Sequence, residues 1–141
     1  MPTLTLAVAN EIVARSFERS AALGYRPMAV VVVDNGGHIV SAQRQDGATM
    51  FRIDVARGKA WASVAMGVSS RALVQRAKDQ PHFFTALATV GDGKFVPQTG
   101  GVLIRDDQGL VLGAAGASGG TGDEDEAICM HGIEAAGLVA G

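Results

Sequence analysis

The stretch Met28-Ala-Val-Val-Val-Val33, followed directly by Asp34-Asn-Gly-Gly37, decides the class of fold. A short apolar run that is rich in β-branched residues is typical of a buried strand. Asn and Gly directly after such a run favour a tight hairpin turn, because both residues adopt a positive φ at little cost. We therefore predict a strand over 28–33 and, after the turn, a second strand over about 38–43.

Helical patterns lie on both sides of this hairpin. Over residues 3–23, apolar residues recur near helical spacing, with charged residues between them. Downstream, the sequence predicts a helix over about 48–66 and a shorter one over 69–79. Ser69 or Ser70 is expected to cap the start of this shorter helix.

The second half of the chain combines a loop, a second hairpin and a last helix. Residues 89–101 contain four glycines and one proline, a composition that indicates a loop. Two short apolar runs, 102–105 and 110–115, flank a turn and predict a second hairpin. A glycine-rich connector over 113–122 then leads into a helix over about 123–139.

Composition and element order together favour one α+β domain. The chain has 141 residues, of which 48% are hydrophobic, enough material for one buried core. The order helix, hairpin, helices, hairpin, helix favours helices packed on an antiparallel sheet over alternating βαβ units. We therefore predict a single α+β domain over residues 1–141.

Charge and cysteine content exclude several kinds of partner. The net charge is −2 and the pI is about 5.8, so the basic surface that nucleic acid requires is absent. Cys129 is the only cysteine, which excludes an intramolecular disulfide. The segment Met1-Pro-Thr3 lacks the pattern of an export signal, and no apolar run is long enough to span a bilayer. We expect a cytoplasmic protein that binds neither nucleic acid nor membrane.

Six short motifs occur in register along nearly the whole chain. They are Val32-Val-Asp-Asn-Gly-Gly37, Arg44-Gln-Asp-Gly-Ala48, Lys59-Ala60, Phe95-Val-Pro97, Gly100-Gly-Val102, and Gly116-Ala-Ser-Gly-Gly120 with Asp125. Together they resemble the GlcG/HbpS family, also described as haem-degrading or PduO C-terminal-like domains. One departure is Leu103, which stands where members of this family often have proline.

The resemblance implies a fold, an assembly and a ligand. The implied fold is a three-layer domain around a five-stranded antiparallel sheet, and the implied assembly is a homo-oligomer. In some members of the family the ligand is haem or a related tetrapyrrole, so haem is a candidate cofactor.

The candidate ligand site lies where the glycine-rich connector, the loop over 95–101 and the helix of Lys59 are expected to meet. Glycines let the backbone approach a ligand closely, and Lys59 supplies a positive charge for a buried anion. Arg44 is expected to help Lys59 hold carboxylates by charge-assisted hydrogen bonds. The candidate ligand-binding residues are Arg44, Lys59, Phe95, Pro97, Gly100, Gly101, Ser118, Gly119 and Gly120.

Asp125 and Lys59 are the candidate catalytic residues, and His82 is the candidate metal ligand. Asp125 matches the acid that follows the Ser-Gly-Gly turn of the family, and a carboxyl group there is suited to proton transfer. His82 is the first choice as an axial ligand of haem, because it follows Pro81 in a predicted connection and loops expose their side chains.

Each of these features also has a structural interpretation. The glycines equally suit tight packing between strand and helix. The four acids at 123–126 favour the positive end of the helix dipole and suit a solvated helix start, where Thr121 and Glu124 have capping-box spacing. Arg52, seven residues before Lys59 and near the same helix face, is a further candidate contact for carboxylates beside Lys59 and Arg44. The interpretation as a polar surface is favoured for Arg52 more than for Lys59.

Three functions remain open at this point. The resemblance implies a protein that binds or degrades haem or a related tetrapyrrole. Lys59 and Arg44 as an anion clamp, with Asp125 as acid or base, indicate instead an enzyme that acts on a small carboxylated catabolic intermediate. A structural partner subunit is favoured only because no catalytic triad can be read from the spacing.

The resemblance to a family of assemblies predicts that the purified chain is a homo-oligomer. Sedimentation at micromolar concentration should give a multiple of the 14.5 kDa chain mass. A mass equal to that of one chain would contradict this prediction.

Overall fold

A five-stranded antiparallel sheet lies between two layers of helices. The computed structural model describes residues 3–141, so Met1 and Pro2, which belong to the segment compared with an export signal, lie outside the described residues. The helices are α1 (Leu6–Ala22), α2 (Phe51–Met66), α3 (Arg71–Asp79), α4 (Pro81–Val90) and α5 (Gly122–Ala135). The strands are β1 (Ala29–Asp34), β2 (Ile39–Arg44), β3 (Gly101–Arg105), β4 (Val111–Ser118) and β5 (Val139–Ala140). None of the helices in this described part is long and apolar enough to cross a membrane. The predicted α+β fold is confirmed.

The sheet brings four strand ends together. Its strand order is β2-β1-β4-β3-β5, and the pairings are antiparallel. Ala29 at the start of β1 lies opposite both Arg44 and Ser118, and Gly101 lies opposite Gly116. The starts of β1 and β3 therefore lie beside the ends of β2 and β4. We call this the Ser118 end of the sheet.

The central strand β1 is buried on both faces, which explains its unbroken apolar sequence. Val30 and Val32 belong to a core cluster with apolar residues of α1 and α5. Val31 and Val33 face the other way and pack with Ala56 and Ala60 of α2 in a second cluster. The sheet is thus covered by α1 and α5 on one face and by α2 on the other.

Three segments differ from the prediction. Residues 81–90 form helix α4 rather than a connection, because proline is tolerated in the first helical turn, where its missing N–H has no partner to lose. Strand β4 extends to Ser118, so residues 113–118 are a strand and not a connector. The last helix ends at Ala135, and the short strand β5 follows it.

Ser69 and Ser70 do not cap α3, although the sequence predicts such a cap. The Ser70 side chain makes no capping bond, and its Oγ accepts a bond from Gly101 N at 2.7 Å instead. The same Oγ donates to Gln98 O at 2.6 Å, and Ser69 Oγ accepts a bond from Leu103 N at 3.2 Å. The two hydroxyls therefore attach the start of β3 to the segment before α3.

Gly116 allows α2 to lie close to β4. A Cβ atom at this position would come within 2.1 Å of the Ala56 carbonyl oxygen and 2.9 Å of the Ala60 nitrogen. Gly116→Ala should therefore lower the free energy of unfolding by about 2–3 kcal/mol, because α2 would have to move. Urea unfolding measures this loss.

Gly137→Ala is the control for this substitution. Gly137 has a φ of +84°, and nothing lies within 4 Å of an added Cβ. Its replacement should cost only the backbone strain of a left-handed residue, roughly 1 kcal/mol. Equal losses in the two variants would mean that contact with α2 does not limit position 116.

Candidate functional site

A buried ion pair joins the two helical layers at the Ser118 end of the sheet. Lys59 lies on α2 and Asp125 lies in the first turn of α5, and their side chains are only 7% and 2% exposed. Lys59 Nζ donates to Asp125 Oδ2 at 2.8 Å and to the Ala117 carbonyl oxygen at 3.1 Å. The other carboxylate oxygen, Asp125 Oδ1, accepts a bond from Gly120 N at 3.0 Å. The pair therefore spans the sheet just beyond the end of β4.

Two glycines leave the space that the lysine side chain requires. A Cβ atom on Gly100 would lie 2.8 Å from Lys59 Nζ and 3.0 Å from Asp125 Cβ, and the φ of Gly100 is +132°. A Cβ atom on Gly101 would lie 2.3 Å from the Lys59 carbonyl oxygen. A larger residue at position 100 would displace the Lys59 and Asp125 side chains, and one at position 101 would displace the backbone of α2, so both glycines support the ion pair by close packing.

The four acids at 123–126, in the first turns of α5, have three different roles. Thr121 and Glu124 form the predicted capping box, with Glu124 N donating to Thr121 Oγ1 and Thr121 N donating to Glu124 Oε1. Asp123 and Glu126 both bind the exposed guanidinium of Arg71 on α3, and they raise the pKa of Arg71. Asp125 alone is buried, so the interpretation of all four acids as a solvated helix start is wrong for this residue.

A cleft of about 320 Å³ opens beside the ion pair, and we call it the Lys59 cleft. Its lining residues are Arg52, Val55, Lys59, Val74, Gln98, Thr99, Ser118, Gly120, Gly122 and Asp125. Arg52, Val55 and Lys59 are three and four residues apart along α2, so they lie on one face of the helix. Arg52 is exposed and makes no ion pair with any residue in 3–141. The cleft therefore combines an exposed cation with neutral hydrogen-bonding groups.

Several predicted site residues lie at or beside this cleft. Lys59, Ser118, Gly120 and Asp125 line it, although they come from three separate elements and the loop before α5. Gly100 packs against the Lys59 side chain, and Gly101 packs against the Lys59 backbone. Gly119 precedes the lining residue Gly120, and a Cβ atom added to it would lie 2.4 Å from the Pro27 carbonyl oxygen.

Three other predicted residues lie elsewhere. Arg44 lines a different cleft, of about 550 Å³, together with Phe17 and Tyr25, and its guanidinium donates to the Ala48 carbonyl oxygen. Phe95 is buried in a cluster with other aromatic side chains between α2 and α4. Pro97 is half-buried in the loop that leads to the cleft, next to Gln98, but does not line it.

No set of metal ligands surrounds the cleft. His82 is exposed in the first turn of α4 and does not line the cleft. His131 lies in another cleft, next to Glu134 on α5. Over residues 3–141 there is no group of three or more His, Cys, Asp or Glu side chains that could hold a metal ion. Burial raises the pKa of the Cys129 thiol, which keeps it protonated and unsuited to ligation.

The sequence indicates most of the remaining lining residues. Gln98 and Thr99 belong to the loop over 95–101, and Gly122 belongs to the glycine-rich connector, the two segments predicted to meet at the site. Arg52 and Val55 lie on the same helix face as Lys59. Val74 alone carries no such signal, and it reaches the cleft because α3 lies at the Ser118 end of the sheet.

Residues 4–134 match the family described as haem degrading protein HbpS-like. The chain belongs to this family. PduOC, solved as a complex with haem, is 28% identical with a TM-score of 0.84, and the match covers 97% of both chains. A double mutant of HbpS from Streptomyces reticuli is 26% identical with a TM-score of 0.80, covering 95% of this chain and 87% of that one. An uncharacterized 15.0 kDa protein of Citrobacter freundii, from the dhaT-dhaS intergenic region, is 28% identical over 132 residues, or 94% of this chain and 91% of that protein. The resemblance derived from the six motifs is confirmed.

The buried ion pair predicts strong coupling between Lys59 and Asp125. Lys59→Met leaves the carboxylate buried without its cation, and Asp125→Asn leaves the ammonium without its anion. Each single change should cost about 3 kcal/mol or more. The double variant restores neutrality, so its loss should be smaller than the summed single losses by about 1.5 kcal/mol or more. Urea unfolding of all four proteins measures the coupling.

Arg71→Met is the control for an exposed ion pair. Arg71 binds Asp123 and Glu126 with about half of its side chain exposed. Its loss should lower the free energy of unfolding much less than the loss of Lys59 or Asp125, because solvent screens such pairs. Additive effects of the Lys59 and Asp125 substitutions would contradict a coupled buried pair.

Proposed function

We propose that this protein binds haem or a closely related tetrapyrrole through its carboxylates at the Lys59 cleft. The observation that carries the proposal is an amphiphilic face on α2. Phe51, Val55 and Lys59 are four residues apart and follow one face of the helix, with Arg52 beside Phe51. Phe51 is 67% exposed, one turn beyond the part of the face that lines the cleft. An apolar surface thus adjoins a cation at the mouth of the cleft.

The Lys59 cleft and the adjoining face of α2 offer two of the three contacts that proteins usually make with haem. Arg52 is placed to hold a propionate by a charge-assisted hydrogen bond. Phe51 and Val55 would contact one face of the macrocycle. The cleft volume of about 320 Å³ lies at the lower end of the roughly 300–1,000 Å³ typical of ligand pockets, so most of the ring would extend along α2. No histidine lines the cleft to serve as the third contact, an axial ligand.

The family and one of its solved members support this ligand class. The chain matches the HbpS-like family over residues 4–134, and PduOC is described as a haem complex. A bound haem would supply an iron centre. Arg52 would bind its carboxylates, Phe51 and Val55 would contact the ring, and the ion pair would remain intact.

Titration with haemin, followed by Soret absorbance, tests the proposal. Wild-type protein should give a saturable spectral change. Phe51→Ala should weaken binding by roughly tenfold, because an apolar contact with the macrocycle is lost. Phe83→Ala is the matched control, since Phe83 on α4 is 51% exposed and does not line the cleft. The absence of saturable binding, or an equal loss in both variants, would contradict haem binding at this cleft.

A second candidate function is an enzyme that acts on a small carboxylated intermediate. The observation that favours it is that Lys59 and Asp125 line one small polar cleft within hydrogen-bonding distance of each other. Lys59 would hold the substrate carboxylate and Asp125 would act as acid or base. Arg44 ends β2, which lies two strands from β4, and it lines a different cleft. It would contact the substrate only if the substrate were long enough to reach from the Lys59 cleft to the Arg44 cleft.

Calorimetric titration with acetate, succinate and citrate tests this second function. Binding of any of them that is lost in Lys59→Met, in a variant that remains folded by circular dichroism, would support it. Heats of dilution alone for all three acids would speak against it.

Assembly and location also belong to the proposal. We propose a cytoplasmic homo-oligomer without nucleic-acid or membrane partners. Large apolar side chains that are more than half exposed and lie outside the proposed haem contact, such as Met50, Val90 and Leu110, support contact between subunits.

A further inference from the structure

The Lys59 cleft has a net charge of +1 that depends on one residue. Its charged lining residues are Arg52, Lys59 and Asp125. Lys59 and Asp125 neutralise each other across 2.8 Å, and both are buried. The nearby acids Asp123 and Glu126 are bound by Arg71 and do not line the cleft. Arg52 is therefore the cation available to an anionic group of a ligand.

The same lining offers no ligand for iron. Proteins hold haem iron through His, Cys, Met or Tyr side chains, and the cleft-lining residues include none of these types. Lys59 is the one lining amine, and it donates to Asp125 and to the Ala117 carbonyl oxygen. Both carboxylate oxygens of Asp125 already accept hydrogen bonds. Iron would therefore gain little from this surface.

The described histidines lie outside the cleft. His38 follows the turn between β1 and β2, at the opposite end of the sheet from Ser118. His82 is on α4, and His131 faces a cleft with Arg19 and Glu134. None of the three is among the residues that line the Lys59 cleft.

We infer, building on the proposed function, that the Lys59 cleft recognises the carboxylate side of a tetrapyrrole through Arg52 and not the metal at its centre. Iron-free protoporphyrin IX then binds as well as haemin. The neutral dimethyl ester of protoporphyrin IX binds poorly, because Arg52 has no anion to contact.

Quenching of the fluorescence of Trp61, the only tryptophan, measures binding of all three porphyrins in one detergent-containing buffer. For the wild type, the Kd values of haemin and protoporphyrin IX should agree within about threefold, because the lining offers no ligand to the iron of haemin. Arg52→Gln should raise both by about tenfold or more, the effect of losing a charge-assisted bond. The dimethyl ester should bind the wild type about tenfold more weakly than the free acid and lose nothing further in Arg52→Gln.

Arg76→Gln is the matched control. Arg76 is an exposed arginine on α3 that does not line the cleft, so its loss should leave all three Kd values unchanged. Equal losses in Arg52→Gln and Arg76→Gln would overturn the inference, since general attraction of anions would then explain the binding.

Two further results separate this inference from the function it rests on. If haemin binds and protoporphyrin IX binds more than about thirtyfold more weakly, with His82→Ala abolishing the difference, iron ligation dominates and the inference is wrong while haem binding stands. If neither porphyrin binds, the proposed function fails and the inference fails with it.

Discussion

The ion pair between Lys59 and Asp125 is the interaction on which the candidate site depends. Two charges that are almost fully removed from water must be paired and hydrogen-bonded, because an uncompensated buried charge costs several kcal/mol. The ammonium meets this requirement with Asp125 and the end of β4, and the carboxylate meets it with Lys59 and Gly120. The pair thus fixes the position of α2, the end of β4 and the start of α5 relative to one another. These are three of the elements that form the cleft.

The pair also sets the electrostatics of the cleft. A lysine without a partner in this position would attract any anion, but Asp125 cancels its charge at close range. Specificity for an anionic group then passes to Arg52, which lies at the exposed end of the same helical face. The pair is not in itself evidence of high stability, since an apolar pair of similar volume often stabilises a fold as well. The sequence pattern places Lys59 among the anion contacts, with Arg44 and Arg52, because it does not show that Asp125 neutralises the lysine.

The sequence predicts more of the fold than of the candidate site. The run at 28–33 predicted a buried strand because β1 is central and apolar on both faces, and the motifs predicted the family. Helix α4 was missed because Pro81 marks a break in most contexts but here begins a helix. The pairing of Lys59 with Asp125 was missed because 66 residues separate them and no local spacing links them. Asp125 is one of four consecutive acids, and only tertiary structure distinguishes the buried one from its neighbours.

The glycines of residues 113–118 explain how the fold makes the ion pair possible. In the sequence they suit either close approach to a ligand or tight packing between strand and helix, and Gly116 in β4 serves the packing. Gly116 faces α2, where any Cβ atom would meet the helix backbone at Ala56, so the glycine lets α2 lie close against the sheet. A lysine side chain has only four methylene groups, and from a more distant helix its ammonium would not reach past β4 to α5. Gly116 and Gly101 therefore set the distance between α2 and the sheet, and Gly100 leaves room for the side chains of the ion pair. Lys59 spans this distance, and Asp125 fixes the loop that completes the cleft.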